Sequence, residues 1–424
     1  MRVAATVVGV LLGSCGGEPR ATPDGSPGRD AASDGGSVPD GRTDASAGLP
    51  DALPADASTG DAYHGDAAPR FLYSCALAGG PIDIFPPCGG YCLPELIAAG
   101  DRWVAGYHAS LRVLALDGTP LADAVNLLEG QGTSGYPEVA FAGDSEGVWV
   151  SWNQLVPTAG SAAEVRLARI GFDGVRGPSR RIGALFSHPG ALARSESGFA
   201  VAWLQGYASG AEGVFVEADD ASGTPVGSRS EHRTGLAFVP GKMDLAISGK
   251  GYIGCYPVDG IVWYQIAFDG GGARRDLLSF ETHGTNGQLR CSIARTDTAT
   301  VAAWSSDSES VLVQVAGNEP PTVAAATPIR IDADGPSAQA ATVTWNGAML
   351  GVAYRYDDLG QGRVGFSIYS PTGEALSAPV TIASVGRYRT RPVLAAASDG
   401  TFGVGWVSAA GYQFARVSCA RIDE

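Results

Sequence analysis

A repeat of about fifty residues is the feature of this sequence that most limits its fold. Seven segments alternate small and apolar residues and then close on a large aromatic residue. Successive closing aromatics lie 45 to 53 residues apart. Alternation with a period of two is typical of β-strands. The closing aromatics are Tyr107, Trp152, Trp203, Tyr256, Trp304, Tyr354 and Trp406.

Each aromatic segment has the same surroundings in the sequence. A turn rich in Asp, Asn and Gly precedes it, as at residues 346–347, and an apolar run such as residues 138–142 precedes the turn. A third run follows, such as residues 164–170, and then a shorter one, such as residues 327–331. Asp, Asn and Gly suit tight hairpins because they adopt positive φ at the least cost. Each repeat is therefore predicted to be a four-stranded antiparallel sheet.

Four antiparallel strands repeated with this period indicate a β-propeller. We predict an all-β fold, a seven-bladed β-propeller of four-stranded antiparallel blades, over residues 70–424. WD40 and kelch repeats have similar lengths, but their signature residues are absent from this sequence. An array of β-sandwiches is the alternative, although sandwich units usually need about 100 residues. The closing aromatics are expected to fill the space between neighbouring blades.

The two ends of the repeat region predict how the ring closes. The seventh repeat stops after its third strand, near residues 414–419, and an unassigned strand-like run, residues 71–77, lies ahead of the first repeat. If that run completes the last blade, Cys75 and Cys419 lie on adjacent strands, and we predict a disulfide between them. Six cysteines follow Cys15, which suits three disulfides in an exported chain but allows fifteen connectivities. The other two predicted pairs are Cys88 with Cys92 and Cys255 with Cys291.

The first fifteen residues predict export and lipidation. One cation, a short apolar run over residues 3–12 and small residues are typical of a secretory signal. The run is about ten residues long, whereas a membrane-spanning helix needs about 20. Leu12-Gly13-Ser14-Cys15 resembles the lipobox of bacterial lipoproteins. The resemblance implies removal of a signal peptide, residues 1–14, and acylation of Cys15, which would anchor the chain to a membrane. A chance cysteine behind an ordinary signal peptide is the alternative.

Residues 15–69, which begin with the lipidated cysteine, are predicted to form a disordered acidic linker. Residues 16–69 consist mainly of Asp, Ala, Gly, Ser, Pro and Thr, and they hold ten acidic residues and three arginines. So little apolar surface cannot offset the entropy of ordering the segment. We therefore expect an exported protein that is lipid-anchored to the cell envelope, in the outer membrane or at the cell surface, with its propeller held away from the membrane.

The charge of the chain and its motifs exclude several functions. The formal net charge is −15, so no basic surface for nucleic acid is expected. Residues 143–147 match G-x-S-x-G, but they fall at a predicted hairpin turn rather than between a strand and a helix. Residues 332–335 hold only half of a calcium-loop pattern, and the five histidines have no metal-ligand spacing. No cofactor and no metal are expected, and the propeller is expected to be a monomer.

The predicted topology places a candidate ligand surface at one end of the ring. Loops that join the blades and loops that follow the aromatic strands should emerge together there. We interpret the chain as a binding scaffold for an unknown extracytoplasmic protein or glycan. The alternative is a propeller enzyme, a hydrolase or lyase acting on envelope or extracellular glycans. The candidate residues on this face are His108, Asn153, Gln154, His188, Gln205, Arg355, Tyr388, Arg389 and Arg391.

Overall fold

The structure is a computed structural model of one chain. Residues Ala67–Glu424 form one compact unit. The predicted signal peptide, Cys15 and the acidic linker lie outside the described residues. No helix among the described residues is long and apolar enough to cross a membrane. The described residues are 71–88, 93–128, 138–156, 163–183, 187–195, 197–205, 213–233, 243–248, 251–258, 262–268, 274–281, 292–305, 310–317, 329–331, 338–386 and 391–422.

The strands within these ranges form seven antiparallel sheets, numbered here by their order in the chain. Sheet 1 consists of β3 (Glu95–Ala99), β4 (Arg102–Tyr107), β5 (Ser110–Ala115) and β6 (Val125–Asn126). Sheet 2 consists of β7 (Val139–Gly143), β8 (Gly147–Leu155), β9 (Ala163–Gly171) and β10 (Arg180–Arg181). Sheet 3 consists of β11 (Ser187–Arg194), β12 (Gly198–Gln205), β13 (Gly213–Asp220) and β14 (Ser230–Arg233).

The other four sheets repeat this order. Sheet 4 consists of β15 (Asp244–Ser248), β16 (Gly251–Val258), β17 (Val262–Phe268) and β18 (Arg274–Glu281). Sheet 5 consists of β19 (Ser292–Arg295), β20 (Ala299–Ser305), β21 (Ser310–Gly317) and β22 (Ile329–Arg330). Sheet 6 consists of β23 (Ala338–Trp345), β24 (Leu350–Asp358), β25 (Gln361–Tyr369) and β26 (Val380–Gly386). Sheet 7 consists of β27 (Val393–Ala396), β28 (Phe402–Ser408) and β29 (Gly411–Arg421), together with β1 (Tyr73–Leu77) and β2 (Ile82–Phe85).

The first strands of the sheets contact one another in a cycle. Strand β3 contacts β7, and the contacts continue through β11, β15, β19 and β23 to β27, which contacts β3 again. Within each sheet the strands pair in antiparallel sequence from this first strand outward. Four-stranded antiparallel sheets arranged around a common centre are a β-propeller. The predicted all-β propeller class is therefore confirmed.

The closing aromatics pack where they were predicted to pack. Trp152 and Trp203 are fully buried, the first among side chains of sheets 1 and 2 and the second among side chains of sheets 2 and 3. Tyr107, Tyr354 and Trp406 are 3% exposed or less. A side chain of this size buries about 150–250 Å², which contributes roughly 4–6 kcal/mol before entropy is considered. The side chains of Tyr256 and Trp304 lie outside the description.

The ends of the chain close sheet 7 as predicted. Strand β1 pairs with β29, so that Cys75 lies opposite Cys419, and the two are joined by a disulfide. Strand β2, which the sequence did not predict, pairs with the beginning of β29. The fourth strand of this sheet is therefore one run interrupted at residues 78–81. Cys88 and Cys255 are also disulfide-bonded, while their predicted partners, Cys92 and Cys291, lie outside the described residues.

The two ends of the propeller differ in how the strands are joined. At one end, here named the turn face, the first strand of a sheet joins the second and the third joins the fourth. At the other end, the loop face, the second strand joins the third and one sheet is followed by the next. The Gly143–Gly147 motif lies on the turn face between two strands, where Asp144 Oδ1 accepts from the backbone N of Glu146 (2.7 Å) and of Gly147 (2.9 Å). It is an Asx turn in a hairpin, as predicted, and no helix follows it.

Candidate functional site

The predicted ligand residues that follow the aromatics lie in strands rather than in loops. Strand β8 continues to Leu155 and β12 to Gln205, so that Asn153, Gln154 and Gln205 are paired strand residues. Asn153 is fully buried, and Gln154 and Gln205 are 6% and 8% exposed. Of these three, Asn153 and Gln205 lie on the strand faces that border the interface between sheets 2 and 3.

Sheet 2 contributes three polar residues to this interface. Ser151 lies between Ala140 and Leu167 on the neighbouring strands, and both belong to the apolar cluster that contains Trp203. Directly paired residues in an antiparallel sheet share a face, and residues two apart along a strand share it too. Ser151, Asn153 and Glu138 therefore face sheet 3. The amide Oδ1 of Asn153 accepts from the backbone N of Glu138 at 3.0 Å.

Sheet 3 contributes three residues to the same interface. Trp203 and Gln205 alternate onto one face of β12, and Ser187 lies opposite Gln205. A Cβ on Gly183 would lie 2.9 Å from Ser187 Oγ and 3.2 Å from Trp203 Cδ1. Gly183, Ser187 and the pyrrole edge of the Trp203 indole therefore meet at one point.

We name these six residues the polar interface cluster. Its rim at the loop face consists of Glu138, Asn153, Ser187 and Gln205, all less than 9% exposed. Its floor consists of Ser151 and Trp203, which are fully buried and lie one strand alternation, roughly 7 Å, further in. The sequence analysis found Asn153 and Gln205 but missed the other four residues.

Two polar atoms of the floor have no hydrogen-bond partner among the described residues. They are Ser151 Oγ and Trp203 Nε1. Among the equivalent indoles, that of Trp406 donates to Gln413 Oε1 on the next strand at 3.0 Å, whereas that of Trp152 also lacks a partner among the described residues. In sheet 3 the residue paired with Trp203 is Phe215, which cannot accept. A buried polar group without a partner costs about 1–3 kcal/mol, so an unfilled floor would destabilise the fold.

Ser151 departs from the repeat, and the sequence carries that signal. Five of the other repeats hold Gly or Ala at its position, immediately before the closing aromatic, and Cys255 occupies it in the sixth. A small apolar residue is what close packing between tapering sheets requires. The packing of the other repeats at this position does not require the hydroxyl group of Ser151.

The arginine and histidine candidates have separate surroundings. Arg355 donates to Gln339 Oε1 at 2.9 Å and to Asp357 Oδ1 at 2.5 Å, so the described contacts of its guanidinium are those of a local ion pair. His108 is exposed at a β4–β5 turn whose two residues both have positive φ. Burial lowers the pKa of His188, whose Nδ1 has no partner in the described part of the chain. Arg391 is half-buried.

Tyr388 and Arg389 lie outside the described residues. The structure therefore places His108, His188, Arg355 and Arg391 at the loop ends of sheets 1, 3, 6 and 7.

A cavity of about 310 Å³ lies at the centre of the ring and is lined by residues of all seven first strands. Three of its polar side chains bridge neighbouring sheets. Asp244 Oδ2 accepts from the backbone N of the next sheet's Ile293 at 2.9 Å. Ser292 Oγ accepts from the backbone N of Val343 at 3.1 Å, and Thr342 Oγ1 donates to the carbonyl of Pro392 at 2.7 Å. These groups hold adjacent inner strands together.

A buried ion cluster also joins sheets 2 and 3, but nearer the turn face. Arg180 of β10 is paired with Glu217, at 2.7 Å, and with Asp219, both on β13. Burial raises the pKa of Asp219 to about 7, against the effect of the Arg180 guanidinium. The carboxyl of Asp219 has no exposed surface, so solvent does not reach the only described carboxyl group with a raised pKa. Among the described residues, no group of three His, Cys, Asp or Glu side chains could hold a metal ion.

Comparisons with known proteins give likenesses of fold only. No protein-family profile matches the chain, and no curated protein matches it. The β-propeller domain of the trilobed protease from Pyrococcus furiosus is 9% identical, with 79% of this chain and 98% of that chain covered and a TM-score of 0.44. The Aleuria aurantia lectin is 11% identical over 70% of this chain and 96% of that chain, with a TM-score of 0.45.

A prolyl endopeptidase is 12% identical over 77% of this chain, with a TM-score of 0.44, and the chain spans 50% of that enzyme's length. TM-scores below 0.5 at such identities carry no inference about ligand or activity.

Proposed function

We propose that this chain is an exported protein, held on the cell envelope by acylated Cys15, whose seven sheets act as the blades of a seven-bladed propeller. In this proposal the propeller binds an extracytoplasmic glycan or protein through its loop face. The acidic segment before residue 70 serves as the tether between the lipid and the propeller.

The observation that carries this proposal is the chemical difference between the two faces. On the turn face, polar side chains are used by their own turns. Thr296 Oγ1 accepts from the backbone N of Ala299 at 3.0 Å, Asn346 Oδ1 accepts from that of Met349 at 2.9 Å, and Asp220 Oδ1 accepts from that of Thr224 at 3.0 Å. A face whose polar groups are already satisfied has few left for a partner.

The connections between consecutive sheets lie on the loop face, and residues 127–138, 234–243 and 282–291 are the long ones. Hairpins are short on both faces, as at residues 359–360 on the loop face and 144–146 on the turn face, and residues 318–328 form one long connection on the turn face. Binding residues are concentrated on connections that a rigid scaffold positions. The buried rim of the polar interface cluster lies at this end of sheets 2 and 3.

Catalysis has no comparable support. Three pairs of described carboxylates lie together, and each is paired with arginine: Glu217 and Asp219 are buried against Arg180, Asp144 and Glu146 share Arg169 on the turn face, and Asp357 and Asp358 at the loop face pair with Arg355 and Arg363. A glycan hydrolase or lyase would need carboxyl groups that reach a substrate. Binding without chemistry is therefore the function that we propose.

Two exposed apolar residues allow a matched test. Leu359 lies at the tip of the β24–β25 turn on the loop face and is 98% exposed, whereas Val175 lies in a turn-face turn and is 66% exposed. The full chain with Cys15→Ser is exported from a heterologous signal sequence, and Leu359→Cys or Val175→Cys is coupled to a polyethylene glycol chain. Binding to purified envelope polysaccharide, peptidoglycan and solubilised envelope proteins is then measured. We expect loss of binding only when residue 359 carries the polymer; equal blocking from both positions, or binding to none of the three fractions, contradicts the proposal.

A further inference from the structure

We propose that the β24–β25 hairpin docks onto a protein partner, and that an apolar pocket of this partner takes the side chain of Leu359. This inference rests on the proposed function, because it chooses protein rather than glycan as the ligand of the loop face and names the residue that makes the contact. Residues 355–363 are named here the docking hairpin.

The docking hairpin projects from the loop face. Strand β4 of sheet 1 ends at its closing aromatic, Tyr107, which pairs with Ser110 across a two-residue turn. Strand β24 continues four residues past the equivalent Tyr354 before Asp358 pairs with Gln361. Four residues of extended strand span roughly 13 Å. The tip of sheet 6 therefore extends about that much further along its strands than the turn of sheet 1 does.

The tip places its leucine in an unfavourable backbone conformation. Leu359 and Gly360 have φ values of 50° and 80°, and a two-residue turn with both φ values positive is of type I′, which favours Asn-Gly. Leu359 is also 98% exposed. The turn of sheet 1 has two positive φ values as well, but there Ala109 is fully buried and its carbonyl accepts from the backbone N of Leu127 at 2.9 Å. Packing accounts for that turn, whereas Leu359 gains almost nothing from packing.

Backbone strain separates Leu359 from ordinary surface leucines. Single exposed apolar residues are common on proteins and need no explanation. A bulky residue with positive φ is rare, however, and Asn at this position would avoid both the strain and the exposed apolar surface. Strained residues are concentrated at functional sites. A leucine held out on a turn is suited to entering an apolar pocket of another molecule.

The neighbouring strands support the docking hairpin on both sides. Arg355 donates to Gln339 Oε1 of β23 at 2.9 Å. The hydroxyl groups of Tyr356 and Thr381 are hydrogen-bonded at 2.6 Å and connect the hairpin with β26. A preorganised hairpin loses little conformational entropy when it binds.

The charges beside the tip favour a protein over a bilayer or a glycan. Asp357 is paired with Arg355 at 2.5 Å and Asp358 with Arg363 at 2.8 Å, so two charges of each sign lie close to Leu359. A bilayer would have to dehydrate these charges, which costs more than burying one leucine gains. The leucine side chain forms no hydrogen bond with the hydroxyl groups of a glycan. A protein pocket can bury the leucine alone and leave the charges at the polar rim of the interface.

The test measures binding of the full chain carrying Cys15→Ser to immobilised, solubilised envelope proteins over a range of chain concentrations. Leu359→Asn should raise the half-saturating concentration by about tenfold or more, because the buried apolar contact is lost. Leu359→Met retains an apolar side chain of similar volume and should change this concentration less than about threefold. Leu121→Asn is the matched control on the turn face, where Leu121 is 50% exposed, and it should leave the concentration unchanged. Protease digestion of the immobilised fraction should abolish binding.

Thermal unfolding distinguishes a binding role of Leu359 from a structural role. Leu359→Asn should raise the melting temperature, because Asn adopts positive φ at less cost than Leu. Leu121 does not have a positive φ, so Leu121→Asn should not raise it. A lower melting temperature for Leu359→Asn would mean that the leucine stabilises the fold, and it would overturn the inference.

The results separate this inference from the proposed function. If the polymer at residue 359 blocks binding of an envelope fraction but Leu359→Asn does not weaken it, the loop face binds through other residues and the inference is wrong. The inference is also wrong if Leu359 is needed for binding to polysaccharide, to peptidoglycan or to phospholipid vesicles rather than to protein. Self-association that Leu359→Asn abolishes would make the occupant a second copy of this chain and would refute it too. If no envelope fraction binds, both proposals fail.

Discussion

The disulfide that closes sheet 7 should contribute more to stability than any other single bond in the described part of the chain. It joins Cys75 to Cys419 across 344 residues. In the chain-entropy treatment, a cross-link stabilises a protein by restricting the unfolded chain, and a loop of this length corresponds to about 6 kcal/mol. Residual structure in the unfolded chain reduces this value. The double variant Cys75→Ala/Cys419→Ala should therefore lose several kcal/mol of unfolding free energy.

The variant should still fold, because strand β1 is held by more than the sulfurs. Five residue pairs join β1 to β29. The backbone N of Tyr73 also donates to the carbonyl of Leu376 at 3.0 Å, and that of Ile422 donates to the carbonyl of Leu72 at 2.9 Å. The folded ring should consequently resemble that of the unaltered chain, and the loss should come mainly from the unfolded state.

Guanidinium unfolding followed by tryptophan fluorescence measures the effect. With a slope of about 5 kcal/mol per molar denaturant, a loss of about 5 kcal/mol moves the midpoint down by about 1 M. A reducing agent cannot replace the double variant, because Cys88 and Cys255 are also disulfide-bonded. Cys75→Ser/Cys419→Ser is the control for side-chain packing and should agree with the alanine pair. A midpoint shift below about 0.2 M in both variants would refute the reasoning.

Three further predictions concern stability and anchoring. Gly223→Ala should lower the melting temperature more than Gly347→Ala. Both glycines have positive φ, but only a Cβ at Gly223 would meet a neighbouring ring, that of Trp149 at 2.3 Å. Equal losses in thermal unfolding would contradict this prediction. Burial raises the pKa of Asp219 to about 7. The contribution of Asp219 to the unfolding free energy is therefore fully present below about pH 4, and up to about 4 kcal/mol is lost as the pH rises to 7. Asp219→Asn should flatten the dependence of the unfolding free energy on pH, measured by urea unfolding, and an unchanged dependence would contradict this prediction. Cys15→Ser should move the exported protein from the detergent phase to the aqueous phase in a Triton X-114 partition, and continued detergent partitioning would exclude acylation at this residue.

Much of the fold could be predicted because an alternating strand that closes on a large aromatic residue recurs seven times in the sequence. Trp152, Trp203 and Trp406 each close an alternating strand, and each is fully buried between sheets. The partnership of Cys75 with Cys419 followed from one missing strand at the end of the chain and one extra strand at the beginning. Elements that occur only once in the chain could not be predicted from the repeat. Strand β2 has no counterpart in the other sheets, and it appears only because β29 is long enough to pair with it as well as with β1.

The candidate site was predicted less well, for a physical reason. Alternation along a strand tells which residues share a face, but it does not tell which residue of the next sheet lies opposite. Asn153 and Gln205 were found because they follow the aromatics. Glu138 and Ser187 lie at the start of the strands before the aromatic strands β8 and β12. Their positions opposite Asn153 and Gln205 depend on the pairing register between those strands.

A repeat protein offers a way to separate polar residues that build the fold from those that bind something else. Asp244, Ser292 and Thr342 interrupt the apolar inner strands, but each is bonded to the backbone of the next sheet, so their polarity is explained by the ring itself. Ser151 interrupts an equally regular position, and its hydroxyl has no such partner among the described residues. The fold would be more stable with alanine there, since an unpaired buried hydroxyl costs about 1–3 kcal/mol. Thr300 Oγ1 and the indole Nε1 atoms of Trp152 and Trp203 have the same deficit among the described residues, so a missing partner alone does not identify a ligand site.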